Sequence, residues 1–119
     1  MKKLKLIVNA EIELQGKLKY LDKQIKENKT HFFFYINNHE KAQINYCKLI
    51  TNDNGEYYNI LETCLEQGRR FRISLIFEVE VVVGIKDVNK RDLILYCSST
   101  GGVYKMTDVK ITNFNVFNV

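Results

Sequence analysis

Two stretches of strict alternation constrain this chain more than any other feature. From Leu4 the apolar residues take every second place, at Leu4, Leu6, Val8, Ala10, Ile12 and Leu14, and resume at Leu18 and Tyr20 after Gly16 fills one position. Far downstream, Phe71, Ile73, Leu75, Phe77, Val79, Val81 and Val83 hold consecutive odd positions. A period of two gathers these side chains on one face of an extended strand, whereas a helix would scatter them around its circumference. Lys3, Lys5, Asn9, Glu11 and Glu13 alternate with the first set, and Arg70, Arg72, Ser74, Glu78 and Glu80 with the second. Each segment therefore has a dry face and a wet one. A strand that long must bend to wrap a small core, and an internal glycine supplies a bend or bulge. Gly16 is the predicted kink in a strand running from Leu4 to Tyr20.

The remaining segments fill in around these two. Asp22 to Thr30 is polar, breaks the alternation and reads as a loop. His31-Phe32-Phe33-Phe34-Tyr35-Ile36 is an aromatic run typical of a strand. After the turn Asn37 to Glu40, Ala42, Ile44 and Tyr46 alternate with Gln43, Asn45 and Cys47 in a third strand reaching about Thr51. It ends at the turn-rich Asn52-Asp53-Asn54-Gly55. Ile60, Leu61, Cys64 and Leu65 recur at helical spacing ahead of Gly68, which predicts a helix over 56–67. Strands follow over Arg70 to Val83, Leu93 to Ser98 and within Val103 to Val119, joined by a polar loop from Gly84 to Arg91 and a turn at Thr100-Gly101-Gly102.

At 119 residues the chain accommodates one core. One helix among so many strands excludes a doubly wound sheet. Long, bent, amphipathic strands suit a small closed barrel, because closure removes exposed edges. The expected fold is mostly β: a single domain over residues 1–119 forming a five- to six-stranded OB-like barrel, with one short α-helix after the third strand.

The composition narrows the class. No apolar run approaches the roughly 20 residues of a spanning helix, and Lys5, Asn9, Glu11 and Glu13 interrupt any leader-like stretch near the N-terminus. Cys47, Cys64 and Cys97 are odd in number, widely spaced and without a C-x-x-C pair, which reads as reduced, buried thiols in a cytoplasmic protein. The net charge of +4 permits a polyanionic partner without requiring one.

At Tyr58 to Ile73 a helix-like segment ends in Gly68 and enters a strand through Arg69, Arg70 and Arg72. There, and in the order of its elements, the chain resembles the OB-fold family, and within it the single-stranded-DNA-binding proteins of bacteria and their phages. The resemblance implies non-sequence-specific binding of single-stranded DNA in replication or recombination, with DNA favoured over RNA, assembly into an oligomer, and no chemistry. In that fold the second and third strands and the loops joining strands one to two and four to five form the ligand groove.

Those loops here carry Lys26 and Lys29, preceded by Lys17 and Lys19, and Lys86, Lys90 and Arg91. In a barrel both would bring positive charge to one rim and track a phosphate backbone. Alternation divides the aromatic run, with Phe32, Phe34 and Ile36 inward and Phe33 and Tyr35 outward, where bases could stack; Tyr46 and Tyr96 are further candidates. The alternative for Phe33 and Tyr35 is packing under a loop or a subunit partner. Arg70 and Arg72 share a wet face, where they either clamp phosphate or pair with Glu78, Glu80, Glu11 or Glu13. The carboxylate pairs Glu11 with Glu13 and Glu78 with Glu80 are explained by alternating charge on a wet strand. No catalytic residue, metal site or cofactor is assigned. The rival function is a small protein-interaction or inhibitor module of phage or plasmid origin that blocks a host enzyme.

Overall fold

The computed structural model describes residues 2–37, 42–65, 69–84 and 88–118. Its frame is the pair of alternating segments. β1 (Lys2–Gln15) and β5 (Arg70–Val83) are each 14 residues long and pair antiparallel along their whole length, from Lys2 opposite Val83 to Gln15 opposite Arg70. Register places each even residue of β1 opposite an odd residue of β5, so the two apolar sets share one face, and every one from Leu4 to Leu14 and Phe71 to Val83 is buried. Burying one such side chain contributes about 1.5–3 kcal/mol, and these two strands supply most of the core.

β7 (Lys105–Asn118) continues the sheet on the free side of β1, with bulges between Asn9 and Ala10 and between Glu13 and Leu14. The far edge of β5 is shared. β3 (Gln43–Leu49) pairs with Phe77 to Val82, and β4 (Asn59–Leu65) pairs with Arg70 to Ser74. A separate two-stranded ribbon, β2 (Thr30–Ile36) with β6 (Leu93–Ser99), lies across the core. Its inward Phe34 and Phe32 meet Phe77 edge-on, at centroid distances of 5.0 and 6.1 Å. Such pairs add about 0.5–1.5 kcal/mol beyond burial.

The protein is thus mostly β, with an open rather than closed OB-like arrangement. β2 approaches β3 and β6 approaches β7, but no ladder joins the ribbon to the sheet among the described residues. Sheet and ribbon meet at two seams, β2 with β3 and β6 with β7. At one of them the Cys47 thiol lies 3.9 Å from the carbonyl oxygen of Phe32.

Three further expectations change. The segment predicted as a helix over 56–67 is strand β4, as far as residue 65; residues 66–68 lie outside the described set. Without β4 half of a 14-residue edge would lack a ladder. Its ladder is bulged between Ile60 and Glu62 and between Thr63 and Leu65, and Ile60 and Leu61 are exposed, so its apolar residues mark no single buried face and give no period-two signal.

The short helix instead follows β1, as α1 (Leu21–Lys26), starting one residue before the segment read as a loop. Leu21 and Ile25, one turn apart, are its buried stripe, and Lys26 reaches Asp22 at 2.8 Å on the wet side.

Finally, β1 ends at Gln15 rather than continuing to Tyr20, and Leu18–Tyr20 is a 3-10 turn. Gly16 sits at this break with φ +146°, and its N–H donates to the Arg69 carbonyl at 2.7 Å. The described helices include none long and apolar enough to cross a membrane.

Candidate nucleic-acid interface

The outward face of the β2–β6 ribbon is built by alternation alone. With Phe32 and Phe34 turned to the core, His31, Phe33 and Tyr35 point away from it, and register places Tyr96 opposite Phe33. Phe33 and Tyr96 stack at 5.6 Å with planes 14° apart. Tyr35 stands edge-on to both, at 5.6 and 5.1 Å, and His31 continues the row at 6.3 Å from Phe33. Tyr35 is 57% exposed and Tyr96 42%. The expected division of the aromatic run holds, and Tyr96 joins Phe33 and Tyr35 through the tertiary pairing. His31, at the start of the aromatic run, belongs to the same cluster.

Tyr46 does not. It lies on β3, and its hydroxyl donates to Glu78 at 2.9 Å, a bond that favours the neutral phenol and raises its pKa. Glu78 also faces Lys5 at 3.8 Å, and Asn45 donates to Glu80 at 2.9 Å. These carboxylates are held by their strand neighbours.

The basic residues are less concentrated than the barrel expectation requires. Lys29 leads into Thr30, which pairs with Ser99, whereas Lys90 and Arg91 lead into Leu93, which pairs with Ile36. The two loops therefore flank opposite ends of the ribbon instead of meeting on one rim, because an antiparallel pair sends the starts of its strands in opposite directions. Lys86 lies outside the described residues.

Several of the expected phosphate contacts have carboxylate partners. Lys26 pairs with Asp22 at 2.8 Å, Lys29 with Glu27 at 3.1 Å, and Arg72 with Asp108 at 3.2 Å. Asp108 comes from β7, so the partner of Arg72 was none of the four glutamates considered from sequence. Arg70 stands opposite Gln15, at the other end of β5 from Glu78 and Glu80. Lys17, Lys19, Lys90 and Arg91 are exposed, and Lys19 lies 4.9 Å from the centroid of the Tyr20 ring.

A cavity of about 630 Å³ opens at the β2–β3 seam, between Thr30, Phe32, Cys47 and Leu49. Burial pushes the Cys47 thiol up from 9.0 to about 12 and Cys97 to about 11, and desolvation leads the rise of Tyr104 to about 12. Neither thiol is an activated nucleophile. All three groups favour the neutral form in the folded state. Their contribution to stability is complete below the unfolded values near 9 to 10 and is lost as pH rises towards 11 to 12. The melting temperature should hold up to pH 8.5 and decline above it, and Cys47→Ala should make that decline shallower. A flat profile to pH 10.5 would contradict the burial of these groups.

Comparison with known proteins finds no family model, no characterised relative and no solved structure that matches the chain.

Proposed function

We propose that the chain binds single-stranded nucleic acid, DNA in the first instance, across the outer face of the β2–β6 ribbon. The observation that carries this reading is the solvent-facing cluster of Phe33, Tyr35 and Tyr96, supported from behind by the buried Phe32 and Phe34. Aromatic rings held on rigid strands offer bases a stacking surface that is indifferent to sequence. Lys29 at one end and Lys90 with Arg91 at the other stand where a strand laid along the ribbon would carry its phosphates. The span of a seven-residue strand, about 20 Å, suits a short run of nucleotides. Lys29 would exchange its pairing with Glu27 for phosphate, so it should contribute less than Lys90 or Arg91.

Titration of a fluorescent poly-dT oligonucleotide at several salt concentrations tests this. Affinity should fall as salt rises, with a log–log slope of about 0.7 per phosphate contact. Tyr35→Ala and Tyr96→Ala should each cost about 1–3 kcal/mol and leave the slope unchanged, because stacking is not a charge effect. Lys90→Ala should lower the slope instead. No binding at micromolar protein and low salt would end this reading.

A second reading, a protein-interaction module, is favoured by a different observation. Ile60 and Leu61 on β4 and Val116 and Phe117 on β7 are each about half exposed on edge strands. Exposed apolar residues on a sheet edge suit a protein partner.

A further inference from the structure

The end of the molecule where β1 stops gathers positive charge from three distant parts of the chain. Gly16 donates its N–H to the Arg69 carbonyl, the Tyr104 hydroxyl donates to the Lys17 carbonyl, and Lys105 stands opposite Gln15 in the β1–β7 ladder. These bonds draw Lys17, Arg69 and Lys105 around a cavity of about 580 Å³, with Tyr20 and Val103 at its rim.

No carboxylate among the described residues lines it. None of its three cations forms an ion pair with a described residue, in contrast to Lys5, Lys23, Lys26, Lys29 and Arg72. Two acidic side chains on the nearby part of the sheet are engaged elsewhere. Glu13 accepts from Thr107 at 2.7 Å, and Asp108 holds Arg72. Three cations around one concavity, none paired with a described carboxylate, focus a positive potential that an anion would neutralise.

Tyr20 and Val103 are 46% and 41% exposed, and both also border an adjoining cavity of about 370 Å³. An aromatic ring at the lip of a cationic cavity offers a stacking surface for a planar group attached to the anion. The volume lies within the range of small-molecule sites.

We propose that this cavity binds the phosphate monoester of a nucleotide, with Lys17, Arg69 and Lys105 on the phosphate and the base against Tyr20. The site is distinct from the ribbon, since none of its lining residues lies on β2 or β6. The same chemistry is presented by a free mononucleotide and by the phosphorylated end of a nucleic-acid strand.

Calorimetric titration of the full chain at low ionic strength, with dTMP, thymidine and inorganic phosphate as probes, tests the proposal. dTMP should bind at least about tenfold more tightly than thymidine, and Arg69→Gln or Lys105→Gln should each weaken it about tenfold, the scale of one charge-assisted contact. Both side chains are exposed, so melting temperatures should not change. Tyr20→Ala should weaken dTMP and leave inorganic phosphate unaffected, whereas Tyr35→Ala should alter neither and so keeps this site separate from the ribbon.

Twelve-nucleotide dT strands with a phosphate or a hydroxyl at either end identify the source. Preference for one phosphorylated end marks a strand-end site, and indifference marks a free-nucleotide site. The proposal is overturned if neither dTMP nor phosphate binds saturably, if thymidine binds as well as dTMP, or if Arg69→Gln and Lys105→Gln retain full affinity.

Discussion

Ile73→Asp is expected to leave the chain unfolded at room temperature. Ile73 is fully buried in the first half of β5, opposite Ile12 on β1 and Ile60 on β4. An aspartate there is taken out of water with no partner, at a cost of several kcal/mol. It also removes apolar burial worth about 2 kcal/mol. Against the 5–15 kcal/mol that holds most domains together, the sum removes most or all of the stability. Far-UV circular dichroism and urea titration read the outcome. Glu78→Ala, on the opposite face of the same strand, should cost about 1 kcal/mol or less, since it gives up only the exposed contacts to Tyr46 and Lys5. A folded, cooperative Ile73→Asp variant would mean that the shared face of β1 and β5 is not the core.

Gly16→Ala is expected to destabilise the domain by about 2–5 kcal/mol, an unusually large penalty for adding one methyl group. Two independent causes act there. The backbone has φ +146°, a region that residues with a Cβ rarely adopt, and a Cβ would stand 2.5 Å from Cδ1 of Tyr104 and 2.8 Å from the Val103 carbonyl oxygen. Tyr104 cannot yield easily. It is buried edge-on against Phe71 at 6.1 Å, with its hydroxyl bonded to the Lys17 carbonyl. In a double-mutant cycle, Tyr104→Ala should relieve the clash with the ring and leave the backbone strain together with the contact to the Val103 carbonyl. Urea unfolding of the single and double variants separates the ring clash from these backbone contributions. A loss below about 0.5 kcal/mol for Gly16→Ala would show that β1 does not end in this packed arrangement. The same variant bears on the cationic cavity, because the Gly16 contact holds Lys17 beside Arg69 and Lys105.

The local sequence determined what repeats at short range. The period of two fixed β1 and β5 as strands and the side of each that is buried, since side-chain facing along a strand needs no knowledge of its neighbours. It also divided Phe32 and Phe34 from Phe33 and Tyr35, and so located half of the aromatic surface in advance. It failed where the ladder departs from regularity. The bulged β4 leaves Ile60 and Leu61 exposed, so its apolar residues carry no alternation, and the true helix was hidden because Leu21 and Ile25 are only one buried pair in a lysine-rich segment.

What only the tertiary structure decided is which distant residues meet. Tyr96 completes the aromatic cluster because β6 pairs with β2, and Asp108 takes Arg72 because β7 lies beside β1. Arg69 and Lys105 face one cavity because Gly16 and Tyr104 close the end of the sheet around them. The open arrangement of sheet and ribbon, and the placing of the basic loops at opposite ends of the ribbon, belong to the same level. Facing follows from the geometry of a single strand, whereas pairing depends on which edges remain free once every other strand has found its partner.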